Sequence, residues 1–256
     1  MATVDTMPRA GFWNRAHYLN RMTLRDLRVA YFQHPTILAY LLLTPVFVAV
    51  AVAFPTTPLR FVGSIAVAML LYPLSWYGIH RFILHGGWMH KHPVTARMWQ
   101  RTHYSHHQDP NHLEVLFGSL GSTLPTVAVT TAISGYVIGG IGGAAAAFAF
   151  GLVMTCIYEF FHCIQHLGFK PKAPWLIEMK RRHMEHHFHD EDGNYGIISF
   201  FPDRLGGTLY ERRDRPARSP TVFNLGYTQA VAARYPWVAD MTGGLAPDGP
   251  RRPAGE

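Results

Sequence analysis

Four apolar runs of nearly membrane-spanning length constrain the fold of this 256-residue chain more than any other feature. A transmembrane helix needs about 20 mostly apolar residues, and the runs cover residues 37–54, 61–79, 120–141 and 144–161. Only 15% of the residues are charged, whereas a soluble domain usually carries about 25%. One buried helix of a soluble protein could give such a run, but four in a short chain predict an integral membrane protein.

The distribution of basic residues predicts how these spans are oriented. Of the 23 Lys and Arg residues, all except Arg60 lie before the first run, in the region 80–119, or after residue 161. These regions share one side of a four-span topology, and the positive-inside rule places that side in the cytoplasm. Both termini and region 80–119 are therefore expected to be cytoplasmic. The topology explains the net charge of +7, so the expected partner is the lipid bilayer and no nucleic acid.

The chain divides into three predicted parts. Residues 1–33 form a basic N-terminal segment, which is either an interfacial amphipathic helix or a loosely ordered tail. Residues 34–213 form the membrane domain, in which the mixture of turn and aromatic residues over 194–208 is expected to pack as a cap. Residues 214–256 form a C-terminal tail that is predicted to be partly disordered because Pro, Gly and Arg become common there.

Ten of the 16 histidines fall into four tight clusters that follow the second and fourth runs. Neutral imidazole is a good ligand for iron, zinc and copper, and ten imidazoles suit two ions with about five nitrogens each. Residues at i, i+3 and i+4 lie on one face of a helix, so each H-x-x-H-H triplet can present its rings together. All four clusters lie on the predicted cytoplasmic side, where they can converge. The candidate metal ligands are His80, His85, His103, His106, His107, His162, His166, His183, His186 and His187.

The first cluster is irregular. His80 and His85 are five residues apart, which rotates them off a single face of a regular α-helix. The second span is therefore expected to end or to distort near Gly86 and Gly87. Each half of the chain supplies five motif histidines, with a pair at the end of a span and a triplet further on, and this repetition suggests a two-fold internal pattern.

The donor set narrows the choice of metal. Structural zinc sites favour cysteine and calcium or magnesium favours oxygen ligands, so iron, zinc and copper remain. A ferritin-like site needs two Glu-x-x-His motifs. This sequence has one, from Glu159 to His162, so a ferritin-like site is rejected. A histidine-rich surface patch without a metal is disfavoured, because its imidazole rings would repel one another on protonation. Nearby polar residues are expected to hydrogen-bond to ligand imidazoles, and these candidates are Glu159, Asp109, Glu185, Asp190 and His189.

The clusters, their spacing and the paired runs resemble the fatty acid hydroxylase superfamily, the integral-membrane relatives of sterol desaturases. The resemblance extends over about residues 61–210, and all ten motif histidines have counterparts in the family pattern. The stretch from Asn194 through Asp203 to Thr208 resembles the closing segment of the family. The resemblance implies an all-α integral membrane four-helix bundle with a cytosolic helical cap that holds a histidine-rich dimetal site.

The resemblance also implies a chemistry. The cofactor would be two iron ions, with zinc as a metal that a purified sample could hold instead, and dioxygen would be the co-substrate. The reaction would insert OH into an unactivated C–H bond of a lipid or fatty-acyl chain, a step that a metal can perform and a side chain cannot. No fused haem-binding domain is predicted, so the electrons are expected to come from a separate electron-transfer protein.

Two alternatives stay open at this point. A desaturase or methyl oxidase of a sterol-like or isoprenoid lipid begins with the same hydrogen abstraction as a hydroxylase, so ligand spacing does not separate the two. A metal transporter or sensor would also use histidines. Transport, however, needs ligands along a path through the bilayer, whereas these clusters gather on one side of it.

Overall fold

The computed structural model describes residues 17–244, and this part of the chain is built from helices, which confirms the predicted all-α class. Its only β-type pairing is an isolated bridge between Tyr18 and His112. In chain order the α-helices are α1 (Leu24–Gln33), α2 (Pro35–Ala53), α3 (Pro58–Gly78), α4 (Pro93–Trp99), α5 (Ser105–Gln108), α6 (Leu120–Val127), α7 (Ile133–His166), α8 (Pro174–Phe188), α9 (Phe201–Gly206), α10 (Gln229–Arg234) and α11 (Trp237–Thr242).

Short turns of other helix types extend or connect these elements. Three of them are π-helical turns, which add an extra residue to a helical turn and often mark functional sites. The π-helical turns are Ile79–Leu84 after α3, Gln100–Tyr104 between α4 and α5, and Ala128–Ala132 between α6 and α7. The 3₁₀ turns are Leu19–Arg21, Met89–Lys91, Leu113–Val115 and Arg212–Asp214.

Three helical stretches of the described chain are long and apolar enough to cross a membrane: Pro35–Ala53, Pro58–Leu84 and Leu120–His166. Large apolar side chains on the first two face outward, and Leu42, Val52 and Leu59 are examples at 71%, 75% and 83% exposed. A soluble protein rarely exposes such a continuous apolar surface. The observation agrees with a surface that lipid tails cover.

The third stretch is 47 residues long and bends sharply inside α7. The backbone leaves the helical conformation at Gly139 and Gly140, and Gly140 adopts φ 62° and ψ −150°. Beyond the bend the chain runs back along itself, because a Cβ on Gly135 would lie 2.5 Å from the carbonyl oxygen of Gly143. The apolar runs 120–141 and 144–161 predict a turn at residues 142–143, so the observed bend lies three residues earlier than predicted. Gly142 instead permits close packing, since its Cβ would lie 1.9 Å from the carbonyl oxygen of Phe54.

We expect Gly140→Ala to destabilise the protein, because the observed φ and ψ of Gly140 are accessible almost only to glycine. Forcing a side chain into this region costs about 1–3 kcal/mol. Gly78→Ala is the matched control, since Gly78 is in a helix with no atom near its Cβ position and should keep or raise stability. Thermal unfolding of the detergent-solubilised variants checks this, and equal melting temperatures for Gly140→Ala and the native chain would contradict it.

The described parts of both terminal segments pack against the membrane domain. Thr23 caps α1 through a reciprocal pair of hydrogen bonds with Asp26, and Leu27 and Tyr31 of α1 are buried in the main apolar core. This helix therefore packs on protein through that face. Towards the C-terminus, Tyr227 and Val238 belong to a second buried cluster that includes Trp99 and Tyr104. Residues 1–16 and 245–256, which carry the remaining predictions for the two tails, lie outside the described residues.

Candidate metal centre

All ten motif histidines come together at the C-terminal ends of α3 and α7, where α5 and α8 also meet. The predicted distortion of the second span is confirmed, because the chain forms a π-helical turn over Ile79–Leu84. In this turn the backbone N–H of His85 donates to the carbonyl oxygen of His80 at 3.0 Å. This i to i+5 bond brings the two imidazoles together, and their ring centres are 4.9 Å apart.

The ten histidines form two groups of five, and the nitrogen atoms that face the centre of each group lie within 4.8 Å of one another. The two groups adjoin, since the ring centres of His107 and His187, one from each group, are 4.2 Å apart. The first histidine group consists of His80, His85, His103, His107 and His186, and the second histidine group consists of His106, His162, His166, His183 and His187.

The middle histidine of each triplet crosses to the other group. His103 and His107 lie together in the first group, whereas His106 between them joins the second. His183 and His187 lie in the second group, whereas His186 joins the first. Neighbouring residues on a helix differ in direction by about 100°, so consecutive histidines cannot face the same point. Each group therefore takes four histidines from one half of the sequence and one from the other.

The spacing within each group suits a single metal ion. With metal–nitrogen bonds of about 2.1 Å, two nitrogens on opposite sides of an ion are about 4.2 Å apart. The Nε2 atoms of His85 and His103 are 2.7 Å apart, those of His106 and His162 are 3.1 Å apart, and those of His166 and His183 are 2.9 Å apart. The described residues also leave buried imidazole nitrogens in both groups without a hydrogen-bond partner, among them Nε2 of His80, His107 and His186.

Backbone carbonyls fix the orientation of three imidazoles in the first group. Nδ1 of His80 lies 2.6 Å from the carbonyl oxygen of Tyr195, and Nδ1 of His107 lies 3.0 Å from that of Val222. Nδ1 of His186 lies 2.8 Å from the carbonyl oxygen of Gly193. A carbonyl accepts only from a protonated nitrogen, so these contacts place the proton on Nδ1 and direct the Nε2 lone pair into the group.

The environment of the imidazoles keeps them in the neutral form that binds metals. Burial, with neighbouring imidazoles as the next cause, lowers the pKa of His85, His103 and His187 well below the usual histidine value. Burial also lowers the pKa of His107 to about 3, although its bond to the Val222 carbonyl acts in the opposite direction. The rings are therefore uncharged at neutral pH, and their lone pairs are available.

The polar residues predicted to support the ligand imidazoles make other contacts. Glu185 pairs with Arg181 at 2.7 Å, and Asp109 lies 3.9 Å from His112. Asp190 accepts from the backbone of Asp192 at 3.3 Å, Nε2 of His189 lies 2.8 Å from the carbonyl oxygen of Pro216, and Glu159 accepts from the backbone of Gly118 at 3.3 Å. The partners of His80, His107 and His186 are main-chain carbonyls, which the side-chain sequence does not reveal.

The segment over residues 193–208, which includes α9, contacts the first histidine group through the carbonyl oxygens of Gly193 and Tyr195. Asp203 organises this loop: it is fully buried and accepts from the backbone N–H groups of Tyr195 at 2.8 Å and Gly196 at 2.9 Å. The hydroxyl of Thr208 donates to the same carboxylate at 2.8 Å. The loop thereby presents the Tyr195 carbonyl to His80.

A largely apolar cavity of about 410 Å³ adjoins both histidine groups. His80 and His103 of the first group contribute to its wall, and so do His106, His162, His183 and His187 of the second. Apolar side chains complete it, including Trp76 of α3, Ile83 of the π-helical turn that follows, Met98 of α4 and Leu116. Such an enclosure fits an apolar ligand that must approach the imidazoles closely.

Comparison with known proteins places this geometry in a family context. Residues 65–208 match the family model described as fatty acid hydroxylase. The chain is 31% identical over 160 residues to the dihydroceramide fatty acyl 2-hydroxylase FAH2 of Arabidopsis thaliana, covering 57% of this chain and 60% of that protein. It is 26% identical over 166 residues to the fatty acid 2-hydroxylase of Mus musculus, covering 61% of this chain and 42% of that protein.

A solved structure has a similar fold. The structure described as full-length scs7p, with only the hydroxylase domain visible, superposes with a TM-score of 0.60 at 22% identity. The superposition covers 72% of this chain and 68% of that one. The chain spans 60% or less of the length of the two curated relatives named above. Residues 65–208, which match the family model, contain all ten motif histidines.

Proposed function

Because this chain belongs to the fatty acid hydroxylase family, we propose that it is a membrane-bound, dioxygen-dependent fatty-acyl hydroxylase with a histidine-ligated iron pair. The observation that carries the proposal is the adjacency of two five-imidazole groups to one apolar cavity. Nitrogen donors suit iron, and iron can activate dioxygen whereas zinc cannot. The homologues named as hydroxylases do not favour a desaturase, a methyl oxidase or a metal transporter.

The residues of the chain hold, orient and shield the reacting groups. The first and second histidine groups would each hold one ion, and the bound metals would supply the oxidising power that breaks the C–H bond. Dioxygen, two electrons, two protons and one C–H bond give an alcohol and a water molecule. The electrons would come from a separate electron-transfer protein. The loop organised by Asp203 fixes His80 and His186, and the apolar cavity wall excludes bulk water from the site.

The relatives suggest the position of attack. Proteins from Arabidopsis thaliana and Mus musculus are named 2-hydroxylases, so carbon 2 of the acyl chain is the proposed site of oxidation. That carbon is bonded to the acyl carbonyl. The carbonyl and its substituent would therefore lie beside the imidazoles, while the rest of the acyl chain would extend along apolar residues such as Ile83 and Met98.

The proposed topology has four crossings of the bilayer. The stretch Leu120–His166 bends at Gly139 and Gly140, so its two arms would cross in opposite directions after α2 and α3. The histidine groups, the cap and both termini would then share the cytoplasmic side, in agreement with the positions of the Lys and Arg residues.

The test is lipid analysis of cells that express the native chain and are supplied with isotopically labelled dioxygen. We expect a 2-hydroxylated acyl lipid that carries one labelled oxygen atom and is absent from cells expressing the double variant His106→Ala with His107→Ala. A lipid that has lost two hydrogens without gaining oxygen would contradict hydroxylation. Equal amounts of product from the native and double-variant chains would contradict the proposed ligand set.

A further inference from the structure

Two tyrosine rings lead outward from the first histidine group. The ring of Tyr195 is buried and lies edge-on to three imidazoles of that group. Its ring centre is 5.2 Å from that of His85, 5.4 Å from that of His80 and 5.5 Å from that of His186. The half-buried ring of Tyr77, on α3, follows at 6.0 Å from Tyr195. These distances are those of packed aromatic pairs, so Tyr195 connects Tyr77 to the first histidine group through direct ring contacts.

The hydrogen bonds around the Tyr77 hydroxyl have a fixed direction. Nη1 of Arg81 donates to the Tyr77 oxygen at 2.6 Å, because a guanidinium carries only donors. The Thr208 hydroxyl gives its single proton to Oδ1 of Asp203 at 2.8 Å, so it acts as the acceptor in its 3.1 Å contact with the Tyr77 hydroxyl. The Tyr77 proton therefore points towards Thr208, and the chain of hydrogen bonds ends on the Asp203 carboxylate.

Asp203 is placed to accept a proton through this chain. Its side chain is fully buried, and burial raises the pKa of Asp203 above the usual aspartate value, although the hydrogen bonds from Thr208 and the backbone act in the opposite direction. A raised pKa makes the carboxylate a better proton acceptor than a solvated aspartate. The two oxygen–oxygen distances of 3.1 Å and 2.8 Å also lie in the range over which protons transfer.

The two tyrosines lie outside the substrate cavity, whose wall contains side chains that oxidants damage. Among the described residues that line the cavity are Met89 and Met98, but neither Tyr77 nor Tyr195. Oxidants convert methionine to its polar sulfoxide, which would spoil an apolar wall. A centre that has reacted with dioxygen and meets no C–H bond therefore endangers the cavity, whereas Tyr77 can give up an electron without contacting the place of the substrate.

We propose that Tyr77 is a redox-active residue that donates an electron to the oxidised metal centre when the substrate cavity is empty, an inference that rests on the proposed function. The electron passes from the Tyr77 ring through the Tyr195 ring, and the centre is reduced by one equivalent. The Tyr77 proton passes to Thr208 while Thr208 gives its own proton to Asp203. The O–H bond of Tyr77 thus breaks, an O–H bond forms on Asp203, and a neutral phenoxyl radical remains.

The cycle closes when one electron from the electron-transfer protein and the proton held by Asp203 restore the phenol. Arg81 couples the two transfers. Its positive charge next to the phenol oxygen opposes any positive charge on the Tyr77 ring, so the ring must lose its proton when it loses an electron. Arg81 offers no acceptor, which leaves Thr208 and Asp203 as the proton path.

The test is freeze-quench electron paramagnetic resonance of the iron-loaded full chain, reduced with dithionite and then mixed with dioxygen. Nanodiscs of ether-linked phospholipids, which contain no acyl group, keep the cavity free of substrate. We expect a phenoxyl signal that narrows when the tyrosines carry ring deuterium and that is absent from Tyr77→Phe. In Tyr77→Phe the sulfoxides of Met89 and Met98 should increase, as measured by peptide mass spectrometry.

Variants of Thr208 test the proton path. Thr208→Val should slow formation of the radical at least about 100-fold, because a positioned proton acceptor typically contributes that much, and Thr208→Ser should restore it by supplying the same hydroxyl. Tyr210→Phe is the matched control and should keep the native signal. Tyr210 is also half-buried, but its hydroxyl donates to the backbone carbonyl of Asp190 and not to a proton path.

The outcomes separate this inference from the proposed function. Dioxygen consumption without a phenoxyl signal, or an unchanged signal in Tyr77→Phe, would overturn the role of Tyr77. Equal rates of radical formation in Thr208→Val and the native chain would overturn the proton path, and this comparison decides the question if Tyr77→Phe does not fold. A radical in a chain that never adds oxygen to a lipid would overturn the hydroxylase proposal alone, whereas a chain that consumes no dioxygen would overturn both.

Discussion

Replacing His80 and His186 together is expected to remove one metal ion from the protein, whereas replacing His162 and His186 together is expected to remove both. The reason is the crossing of the triplets: His80 and His186 belong to the first histidine group, and His162 belongs to the second. In the double variant of His80 and His186, both lost ligands belong to the first group, so the second site stays intact. In the double variant of His162 and His186, each site loses one ligand, so both sites are weakened. Metal analysis after dialysis against a chelator that the native chain withstands would measure this.

The opposite result would show that each half of the sequence builds its own site. In that arrangement His162 and His186 would share an ion, so their double variant would keep one metal and the pair His80 and His186 would keep none. Hydroxylated product is expected to fall at least about 100-fold in each double variant, because changes to the residues that only support metal ligands already cost about 10- to 100-fold. His92→Ala is the control, since His92 is an exposed histidine outside the motifs.

The convergence of the ten motif histidines could be predicted from the sequence because both the chemistry and the spacing of these residues are visible in it. The five-residue spacing of His80 and His85 even predicted a distorted helix, and a π-helical turn supplies it. The pairing of His186 with the first group could not be predicted. It depends on how α5 and α8 approach each other, and a triplet on one helix contains no information about which neighbour its middle residue faces.

The supporting contacts were missed for a different reason. Every residue carries a carbonyl, so nothing in the sequence distinguishes those of Tyr195, Gly193 and Val222, which meet the imidazoles. The chemistry of the side chains predicts Glu159 and other polar residues as the partners instead. Glu159 lies on the cavity wall and accepts from the backbone of Gly118, so a buried acid one helical turn before a motif histidine need not be its hydrogen-bond partner.

Asp203→Ala is expected to weaken both the fold and the first histidine group. The change leaves two buried donors, the N–H groups of Tyr195 and Gly196, and the half-buried hydroxyl of Thr208 without the Asp203 carboxylate as acceptor. Each unsatisfied buried group costs about 1–3 kcal/mol. We expect the free energy of unfolding to fall by about 3–5 kcal/mol in total, since neighbouring losses are not fully additive. Thermal unfolding in detergent measures this effect.

The number of metal ions that the variant retains distinguishes a local effect on the first histidine group from a global loss of stability. The loop that Asp203 holds presents the carbonyl of Tyr195 to His80 and that of Gly193 to His186, and both histidines belong to the first group. A chelator should therefore remove one ion from Asp203→Ala about 10- to 100-fold more readily than from the native chain, while the second ion stays. Asp214→Ala, at a side chain that is 69% exposed, should change neither property. Loss of both ions together from folded Asp203→Ala would mean that the loop supports the whole centre, and unchanged retention of both would mean that these carbonyls do not orient the ligands.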